Sequence, residues 1–381
     1  MATKDARNRD AVRRKIDALK EIMAREHFAA MLFYSSGQLS MLEVNAALWL
    51  SGVMPMGPNT AILLRPTGEA AMIISLPWDE GRVRAQSWID DIHVADNVTG
   101  GIGELLVKHG IRGDIGIAGF AFMPAAVYRS LEALPDVRFK PADALLSSLA
   151  RFPGAESLPV LERCAAIADA GFAAIVEKAK VGMFEYELAA EMDYAMRSLG
   201  AEDNFGMLTA SQHSHCAHPP QDRKIQPGDI IIAEISPALA GHFIQLCRTA
   251  VVGPPSPLLR EKFASLEKAL DKSLDKVRPG AKVGEISQAM NQVFTAYGYE
   301  KYCRPPYMRV RGHGLGLLSI PFAEIVDENE TVIEAGTTFV VHPNQYIPET
   351  GYLMLGDTVW VEGNGYRRLT QTPMKLFSIE N

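Results

Sequence analysis

The chain has 381 residues, of which 48% are hydrophobic and 22% are charged, and it carries a net charge of −7. This length predicts two domains, and the composition is ordinary for a water-soluble globular protein. The acidic balance argues against a nucleic-acid or anionic-membrane partner, and no apolar run approaches the roughly 20 residues that span a bilayer.

The N-terminus and the cysteines predict a cytoplasmic protein. The first five residues, Met-Ala-Thr-Lys-Asp, lack the apolar core of a secretion signal. The four cysteines form no C-x-x-C pair, so they predict reduced thiols rather than a disulfide framework.

The first part of the chain alternates predicted helices with predicted strands. Residues 10–27 place apolar side chains on one helical stripe, and helical patterns recur near 101–110 and 122–134. Short apolar runs between them predict strands at 30–34, 60–64 and 71–75. This alternation predicts an α/β domain over residues 1–152.

The pattern breaks at residues 151–154, and a second domain is predicted over residues 153–381. Long helices are predicted at 156–180, 184–199, 257–277 and 283–298, with strands at 229–236, 242–252, 337–342 and 356–362. Helices grouped beside paired strands predict an α+β domain. Six of the nine histidines lie in it, which places the chemistry there: His213, His215, His218, His242, His313 and His342.

Several motifs in this order resemble the pita-bread family, which includes creatinase, aminopeptidase P and prolidase. The Gly-His-Gly-Leu-Gly run at 312–316 resembles the family's glycine-rich histidine segment. Further matching segments are found at 49–52, 228–234, 248–249, 336–343 and 356–359. The resemblance covers essentially the whole chain and implies an α/β N-terminal domain followed by an α+β pita-bread catalytic domain.

The resemblance also implies a site that has lost carboxylates. Where metal-dependent members place Asp, Asp, Glu and Glu, this chain has Glu234, Gln245, His342 and Gly356. Two closely spaced dications need several anionic oxygens to hold them. A dinuclear metal centre is therefore not expected, and no cofactor is expected.

Creatinase and ectoine hydrolase are the metal-free branches that the chain resembles most in its site pattern. His218 falls where creatinase carries its acid/base histidine, and Glu234 falls where ectoine hydrolase also has Glu. We therefore expect a metal-independent hydrolase that cleaves a C–N bond in an amidine, amide or cyclic amide of a small polar substrate. The expected catalytic residues are His218, Glu234, His313 and His342, and the expected substrate-binding residues are Gln245, His242, Cys247 and Arg311.

Three alternatives remain open from the sequence. Glu234, His313 and His342 are one carboxylate and two imidazoles, which could hold a single Fe, Mn or Zn ion in an oxygenase or lyase. The chain could instead be an Xaa-Pro peptidase-like protein or a binding homologue without catalysis. In each case the family resemblance implies a homodimer.

Overall fold

A computed structural model of the chain describes residues 6–37, 39–43, 45–317 and 324–380, with side chains described from residue 10 onward. The chain divides into two compact units, Met1–Glu156 and Ser157–Asn381. The boundary predicted from the sequence, between residues 152 and 153, lies shortly before this division. No helix in the described part of the chain is long and apolar enough to cross a membrane.

The N-terminal unit is built on one six-stranded sheet with helices packed against it. Its strands are β1 (Ala30–Ser35), β2 (Thr60–Leu64), β3 (Ala70–Ile74), β4 (Asp91–Val94), β5 (Gly113–Ala118) and β6 (Val137–Pro141). Its helices are α1 (Ala6–Glu26), α2 (Ala46–Ser51), α3 (Glu80–Gln86), α4 (Val98–Lys108), α5 (Ala125–Glu132) and α6 (Asp143–Ala150). The strand order is β4-β3-β2-β1-β5-β6; β1 pairs antiparallel with β2 and parallel with β5, and α4 packs against β2 and β3. The predicted α/β class is confirmed.

The second unit packs long helices beside mainly antiparallel sheets, as expected for an α+β domain. The helices are α7 (Leu158–Lys178), α8 (Glu185–Ser198), α9 (Pro257–Leu274) and α10 (Val283–Ala296). The strands are β7 (Asp203–Ser211), β8 (Ile230–Leu239), β9 (His242–Phe243), β10 (Leu246–Val252), β11 (Gly312–Gly314), β12 (Thr338–Val341), β13 (Gln345–Ile347), β14 (Gly351–Leu353), β15 (Asp357–Glu362), β16 (Gly365–Arg368) and β17 (Phe377–Ile379). One sheet has the order β17-β10-β8-β7 with β9 beside β8, a second has the order β11-β12-β15-β16, and β13 pairs with β14.

Strand β8 shows how the sequence sets the two faces of the first sheet. Its three consecutive isoleucines at 230–232 are β-branched and favour an extended, buried strand. Ile231 and Ala233 point into the apolar core that includes α7 and α8. Ile230 and Ile232 point into the opposite core, which includes Cys247, α9 and α10. Because side chains alternate along a strand, Glu234 shares the face of Ile230 and Ile232.

The single strand predicted over 242–252 is interrupted in the structure. β9 ends at Phe243, and β10 begins at Leu246. At the break, the main-chain N–H of Gln245 donates to Thr358 Oγ1 at 2.9 Å, and the Thr358 hydroxyl donates to the Gln245 carbonyl oxygen at 2.8 Å. The main chain of Gln245 therefore forms hydrogen bonds with a side chain of β15 in the neighbouring sheet rather than with the main chain of a strand in its own sheet.

Candidate active site

The neighbouring strands β8 and β10 bring a carboxyl group and a thiol together. Their antiparallel register sets Cys247 directly opposite Glu234, and Cys247 Sγ donates to Glu234 Oε2 at 3.8 Å. Directly opposed residues lie on the same face of a sheet, and so do residues two apart in an extended chain. Gln245 therefore faces the same side as both.

Three polar side chains surround the Cys247 thiol, and we call the four residues together the thiol cluster: Glu234, Gln245, Cys247 and Asn344. Cys247 Sγ accepts hydrogen bonds from Gln245 Nε2 at 3.6 Å and from Asn344 Nδ2 at 3.8 Å. Burial raises the pKa of the Cys247 thiol well above its ordinary value, and the nearby charge of Glu234 raises it further. The thiol therefore stays protonated and remains able to donate to Glu234.

Glu234 is the titrating group of this cluster. Burial raises its pKa from the ordinary value of 4.5 to about 7, although the hydrogen bond from Cys247 opposes that shift. Desolvation disfavours a charged carboxylate, which explains the direction. Near neutral pH the carboxyl group is therefore present in both protonation states and is suited to take up or release a proton.

The Glu234→Gln variant is expected to gain stability relative to the unmodified chain as pH rises from about 5 to about 8. Between the unfolded pKa and the folded value of about 7, the folded state binds more protons, so rising pH destabilises the unmodified chain. A glutamine cannot ionise and escapes this loss. We expect the difference to change by on the order of 1 to 3 kcal/mol. Urea unfolding of both proteins at the two pH values tests this, and a pH-independent difference would contradict it.

Strands β11 and β12 bring two histidines together. His313 pairs in register with Val340, and His342 lies two residues further along, so both imidazoles share one face. Their ring centroids are 5.9 Å apart in an edge-to-face arrangement. Burial is the main cause that lowers the pKa of His313 to about 4 and that of His342 to about 3. Both imidazoles are therefore neutral at pH 7.

Glycine is required just before His313. Gly312 has a φ of +140°, and a Cβ atom there would lie 2.1 Å from the carbonyl oxygen of Val340. Only glycine allows β11 to approach β12 this closely. The glycines of the sequence motif thus serve to seat His313 beside the neighbouring strand.

Gly356 joins the thiol cluster to the two imidazoles. Its N–H and carbonyl groups exchange hydrogen bonds of 3.0 Å with the main chain of Cys247. A Cβ atom at position 356 would lie 2.5 Å from His342 Cβ and 3.0 Å from the Val341 carbonyl oxygen. A glutamate at this position would therefore collide with the Cα and Cβ atoms of residue 342 unless the backbone moved, whichever side chain residue 342 carries.

The described residues do not fit a two-ion metal centre. The site supplies one carboxyl group with a pKa near 7, two neutral imidazoles and a protonated thiol, whereas two dications require several anionic oxygens. Within 6–37, 39–43, 45–317 and 324–380, no group of three or more His, Cys, Asp or Glu side chains could hold an ion. The single-ion set of Glu234, His313 and His342 therefore receives no support from this part of the chain.

Two predicted site histidines, His218 and His242, make their described hydrogen-bond contacts outside the thiol cluster. The His218 ring nitrogen Nδ1 lies 2.8 Å from the Pro219 carbonyl oxygen. The two ring nitrogens of His242 lie 3.0 Å from the Ala240 carbonyl oxygen and 3.2 Å from the Ser157 hydroxyl oxygen. These contacts separate both histidines from the hydrogen bonds of the thiol cluster, and they give His242 a structural role in its turn.

Arg311 is a buried structural cation rather than a free anion-binding group. Its guanidinium donates to Asn291 Oδ1 at 2.9 Å, to the Asn344 carbonyl oxygen at 2.8 Å and to Gln345 Oε1 at 2.9 Å. The cation also lies 4.8 Å from the Phe294 ring centroid. It holds the main chain next to the thiol cluster in place, and its expected contact with substrate stays a prediction.

Sequence reasoning missed two residues of the site, Asn344 and Tyr352. Asn344 follows His342 at the end of β12 and reaches Cys247 across the fold. Burial raises the pKa of the Tyr352 hydroxyl, and the charge of Glu234 is the next cause, so the two groups lie within electrostatic reach. Asn344 does have a local signal, because it lies two residues beyond a predicted site histidine.

A buried ion pair lies directly behind the site. Arg248 donates to Asp357 Oδ1 at 2.7 Å, and both side chains are fully buried. Arg248 also donates to the carbonyl oxygens of Cys247 and Gly356 at 2.8 Å each. One guanidinium therefore fixes the two main-chain segments that meet between the sheets.

Comparison with known proteins identifies both units. The "Metallopeptidase family M24" model matches residues 160–363, which is more than half of the chain. The "Creatinase/Prolidase N-terminal domain" model matches residues 15–149. The predicted family is confirmed, although its creatinase branch is not specifically supported.

Similar proteins are mainly Xaa-Pro peptidases. An Xaa-Pro dipeptidase from Pyrococcus furiosus is 31% identical over 242 residues, covering 62% of this chain and 68% of the relative. The solved prolidase from Pyrococcus furiosus superposes with a TM-score of 0.80 at 23% identity, covering 93% of this chain and 99% of that one. An X-Pro aminopeptidase from Thermotoga maritima gives a TM-score of 0.83 at 18% identity, covering 96% and 99%. These structures confirm the pita-bread fold.

Two expectations from the sequence are wrong in the light of these relatives. The expected metal-independent, creatinase-like or ectoine hydrolase-like enzyme conflicts with the matched relatives, which are Xaa-Pro dipeptidases. The expected absence of any cofactor conflicts with membership of a metallopeptidase family. The substituted metal-binding positions, Gln245 and Gly356, favour the metal-free branches of the family. The similarity over residues 160–363 points instead to the peptidases.

What the relatives share is the hydrolysis of a peptide C–N bond, carried out on a common two-domain scaffold. The matches at 15–149 and 160–363 together span most of this chain. The chain therefore belongs to the Metallopeptidase family M24, a family of hydrolases.

Proposed function

We propose that the chain acts on Xaa-Pro-type dipeptides and hydrolyses the bond to proline. The Xaa-Pro dipeptidases among its relatives support this substrate class. The observation that carries the proposal is Glu234, a buried carboxyl group with a pKa of about 7 in the thiol cluster, which Gly356 joins to His342 where the two sheets meet. Such a group is matched to proton transfer at neutral pH.

Each site residue has a role that follows from its protonation state. Ionised Glu234 accepts a proton from the attacking water, and protonated Glu234 returns it to the departing nitrogen of proline. The neutral imidazole of His342 has one N–H group, which can donate to the substrate carbonyl oxygen as negative charge develops, whereas His313 Nδ1 donates its N–H to the Gly314 carbonyl oxygen at 3.1 Å and thereby orients its ring. The described donors do not fit the family's metal ions, so no step is assigned to a metal.

A substrate panel tests the proposal directly. Purified chain is incubated with Ala-Pro, Ala-Ala, Pro-Ala and creatine, each with and without added MnCl₂, and the products are separated by chromatography. We expect proline release from Ala-Pro at least about tenfold faster than alanine release from Ala-Ala, since one well-fitted group commonly discriminates by this factor. Equal rates on Ala-Pro and Ala-Ala, or hydrolysis of creatine alone, would contradict the proposal.

The second candidate is a binding protein that takes up Xaa-Pro peptides without cleaving them. It is favoured by Gly356, which supplies no carboxylate and at which a Cβ atom would lie 2.5 Å from His342 Cβ, so the described backbone leaves no room for an acidic side chain there. Calorimetric titration with Ala-Pro separates the two candidates. Saturable heat with no proline release supports binding alone, whereas release of proline supports hydrolysis.

Quaternary structure, domain limits and location remain proposals of the same kind. We expect a homodimer, which light scattering of the purified chain would test.

We keep the domain limits 1–152 and 153–381, which expression of residues 153–381 alone would test. A cytoplasmic location rests on the four unpaired cysteines.

A further inference from the structure

Cys247 is a buried thiol for which the proposed hydrolysis has no use. Its side chain is fully buried, and burial holds the pKa of the thiol well above its ordinary value. A thiol that is both buried and protonated is a poor nucleophile. Cys247 nevertheless lies directly opposite Glu234, the proposed proton-transfer group, in the pairing of β8 with β10. This position calls for a role other than attack on the substrate.

Two amide groups beside the sulfur set the direction of its proton. Asn344 Oδ1 accepts the Leu355 N–H at 3.1 Å, so the Asn344 amide turns its Nδ2 to Cys247 Sγ at 3.8 Å. Gln245 Nε2 donates to the same sulfur at 3.6 Å. Both amides therefore use the sulfur as an acceptor. The proton of the thiol itself is directed to Glu234 Oε2 at 3.8 Å.

The main chain of Cys247 is held as firmly as its side chain. It exchanges two main-chain hydrogen bonds of 3.0 Å with Gly356. Its carbonyl oxygen also accepts a hydrogen bond of 2.8 Å from the Arg248 guanidinium. The thiol is therefore a preorganised donor, which loses little further freedom when it bonds to Glu234.

The carboxyl group of Glu234 has a single anchor among the residues that the structure describes. The thiol bonds to Oε2, and no other described side chain forms a hydrogen bond with this carboxyl group. A glutamate side chain has several rotatable bonds, and fixing them costs conformational entropy. Without the thiol, nothing in the described part of the chain would set the direction of the carboxyl group. With the thiol in place, Oε2 is held and Oε1 is left for the attacking water.

We propose that Cys247 is a positioning residue, whose S–H group holds Glu234 Oε2 and thereby presents Oε1 to the water that attacks the substrate. The effect on rate rests on the proposed hydrolysis, whereas the contact between the thiol and the carboxyl group does not depend on any substrate. Positioning of this kind matters because a misplacement of about 1 Å can cost about 100-fold in rate.

Valine and threonine at position 247 separate the donor from the packing. The two side chains have the same shape, but threonine carries a hydroxyl donor and valine does not. In Cys247→Val, kcat for proline release from Ala-Pro should fall by about 10- to 100-fold with KM little changed, because substrate contacts survive. In Cys247→Thr, kcat should lie at least about fivefold above that of the valine variant, since a donor to Glu234 is restored. A role in packing alone predicts equal rates for both.

Infrared spectroscopy tests the contact without a substrate. An S–H group that donates a hydrogen bond absorbs at lower frequency than a free one. The band of Cys247 is assigned as the S–H band that disappears in Cys247→Thr, or in Cys247→Ser if the threonine variant fails to fold. In Glu234→Leu, which offers no acceptor, this band should move to higher frequency. A band that stays in place would show that the hydrogen bond is absent and would overturn the positioning role.

Cys164→Val provides the matched control. Cys164 is also fully buried, but it lies on α7 and its thiol donates to the Pro237 carbonyl oxygen at 3.1 Å. Loss of this thiol should leave kcat/KM within about twofold, because the residue takes no part in the thiol cluster. The S–H band of Cys164 should likewise keep its frequency in Glu234→Leu.

Each outcome bears on one of the two proposals. If Cys247→Val and Cys247→Thr release proline at the same rate, the positioning role is overturned and the dipeptide function stands. If the unmodified chain releases no proline, the dipeptide function fails, and the infrared shift alone decides whether Cys247 orients Glu234. If Cys164→Val loses as much activity as Cys247→Val, the loss follows from removing any buried thiol, and the positioning role is overturned.

Discussion

Replacing Glu234 by glutamine is expected to lower kcat/KM for Ala-Pro by about 10²- to 10⁴-fold, the usual contribution of a positioned proton-transfer group. Glu234 is the carboxyl group of the thiol cluster, and glutamine keeps its size while removing its ability to ionise. Substrate contacts should survive, so KM should change little and the loss should be in kcat. Steady-state proline release by both proteins measures this.

The pH profile sharpens this prediction. With Glu234 as the base, kcat/KM of the unmodified chain should rise as pH increases through about 7, since the group must be ionised to accept a proton. The residual activity of Glu234→Gln should lack that rise. The same slope in both proteins would assign the proton transfer to another group.

Glu267→Gln provides the matched control. Burial raises the pKa of Glu267 as well, but this carboxyl group lies on α9 and takes no part in the thiol cluster. Because Glu267 makes no described contact with the thiol cluster, the same chemical change there should leave kcat/KM within about twofold. An equal loss in both variants would point to a general effect on the fold rather than to catalysis at Glu234.

Much of the architecture was predictable because its signals are local. The helices α7 to α10 follow from apolar periodicity over long segments, and each lies within a few residues of its predicted range. The Ile run before Glu234 predicts a buried strand, and strand alternation then fixes the face that Glu234 occupies. Family motifs in the correct order supplied the remaining topology.

The site was only partly predictable because its contacts cross between sheets. The pairing of β8 with β10 and the alternation of side chains along them place Glu234, Cys247 and Gln245 on one face. The pairing of β11 with β12 places His313 and His342 on one face. The strand break before Leu246 depends on a hydroxyl of β15, more than a hundred residues later in the chain. The burial of Arg311 against neutral oxygens likewise has no local signal, because its partners at Asn291, Asn344 and Gln345 lie 20 or more residues away in the chain.

The substituted metal-binding positions explain why the expectation of a metal-independent creatinase-like function went wrong. Reading Gln245 and Gly356 as lost ligands described the donor set correctly but did not identify the reaction. The missing carboxylates argue against a two-metal reaction, but they do not show which branch of the family the chain belongs to. The relatives, which are Xaa-Pro dipeptidases, point to peptides as substrates.

Replacing Arg248 by methionine is expected to destabilise the chain by about 3 to 5 kcal/mol, the usual cost of breaking a buried pair from one side. The change leaves the Asp357 carboxylate buried without its cation, although the Thr370 hydroxyl still donates to it. It also removes the donor to the carbonyl oxygens of Cys247, Gly356, Pro373 and Thr372. Urea unfolding of both proteins measures the difference.

A surface pair and a double variant test the cause of that loss. Arg367 pairs with Glu162 at 2.7 Å, but their side chains are 42% and 46% exposed, so Arg367→Met should cost less than about 1 kcal/mol. Adding Asp357→Leu to Arg248→Met removes the stranded charge and should recover part of the stability. If Arg248→Met costs no more than Arg367→Met, the buried pair does not hold the two sheets together at Cys247 and Gly356. If instead the double variant is as unstable as the single one, the loss comes from the unpaired carbonyl groups rather than from the buried carboxylate.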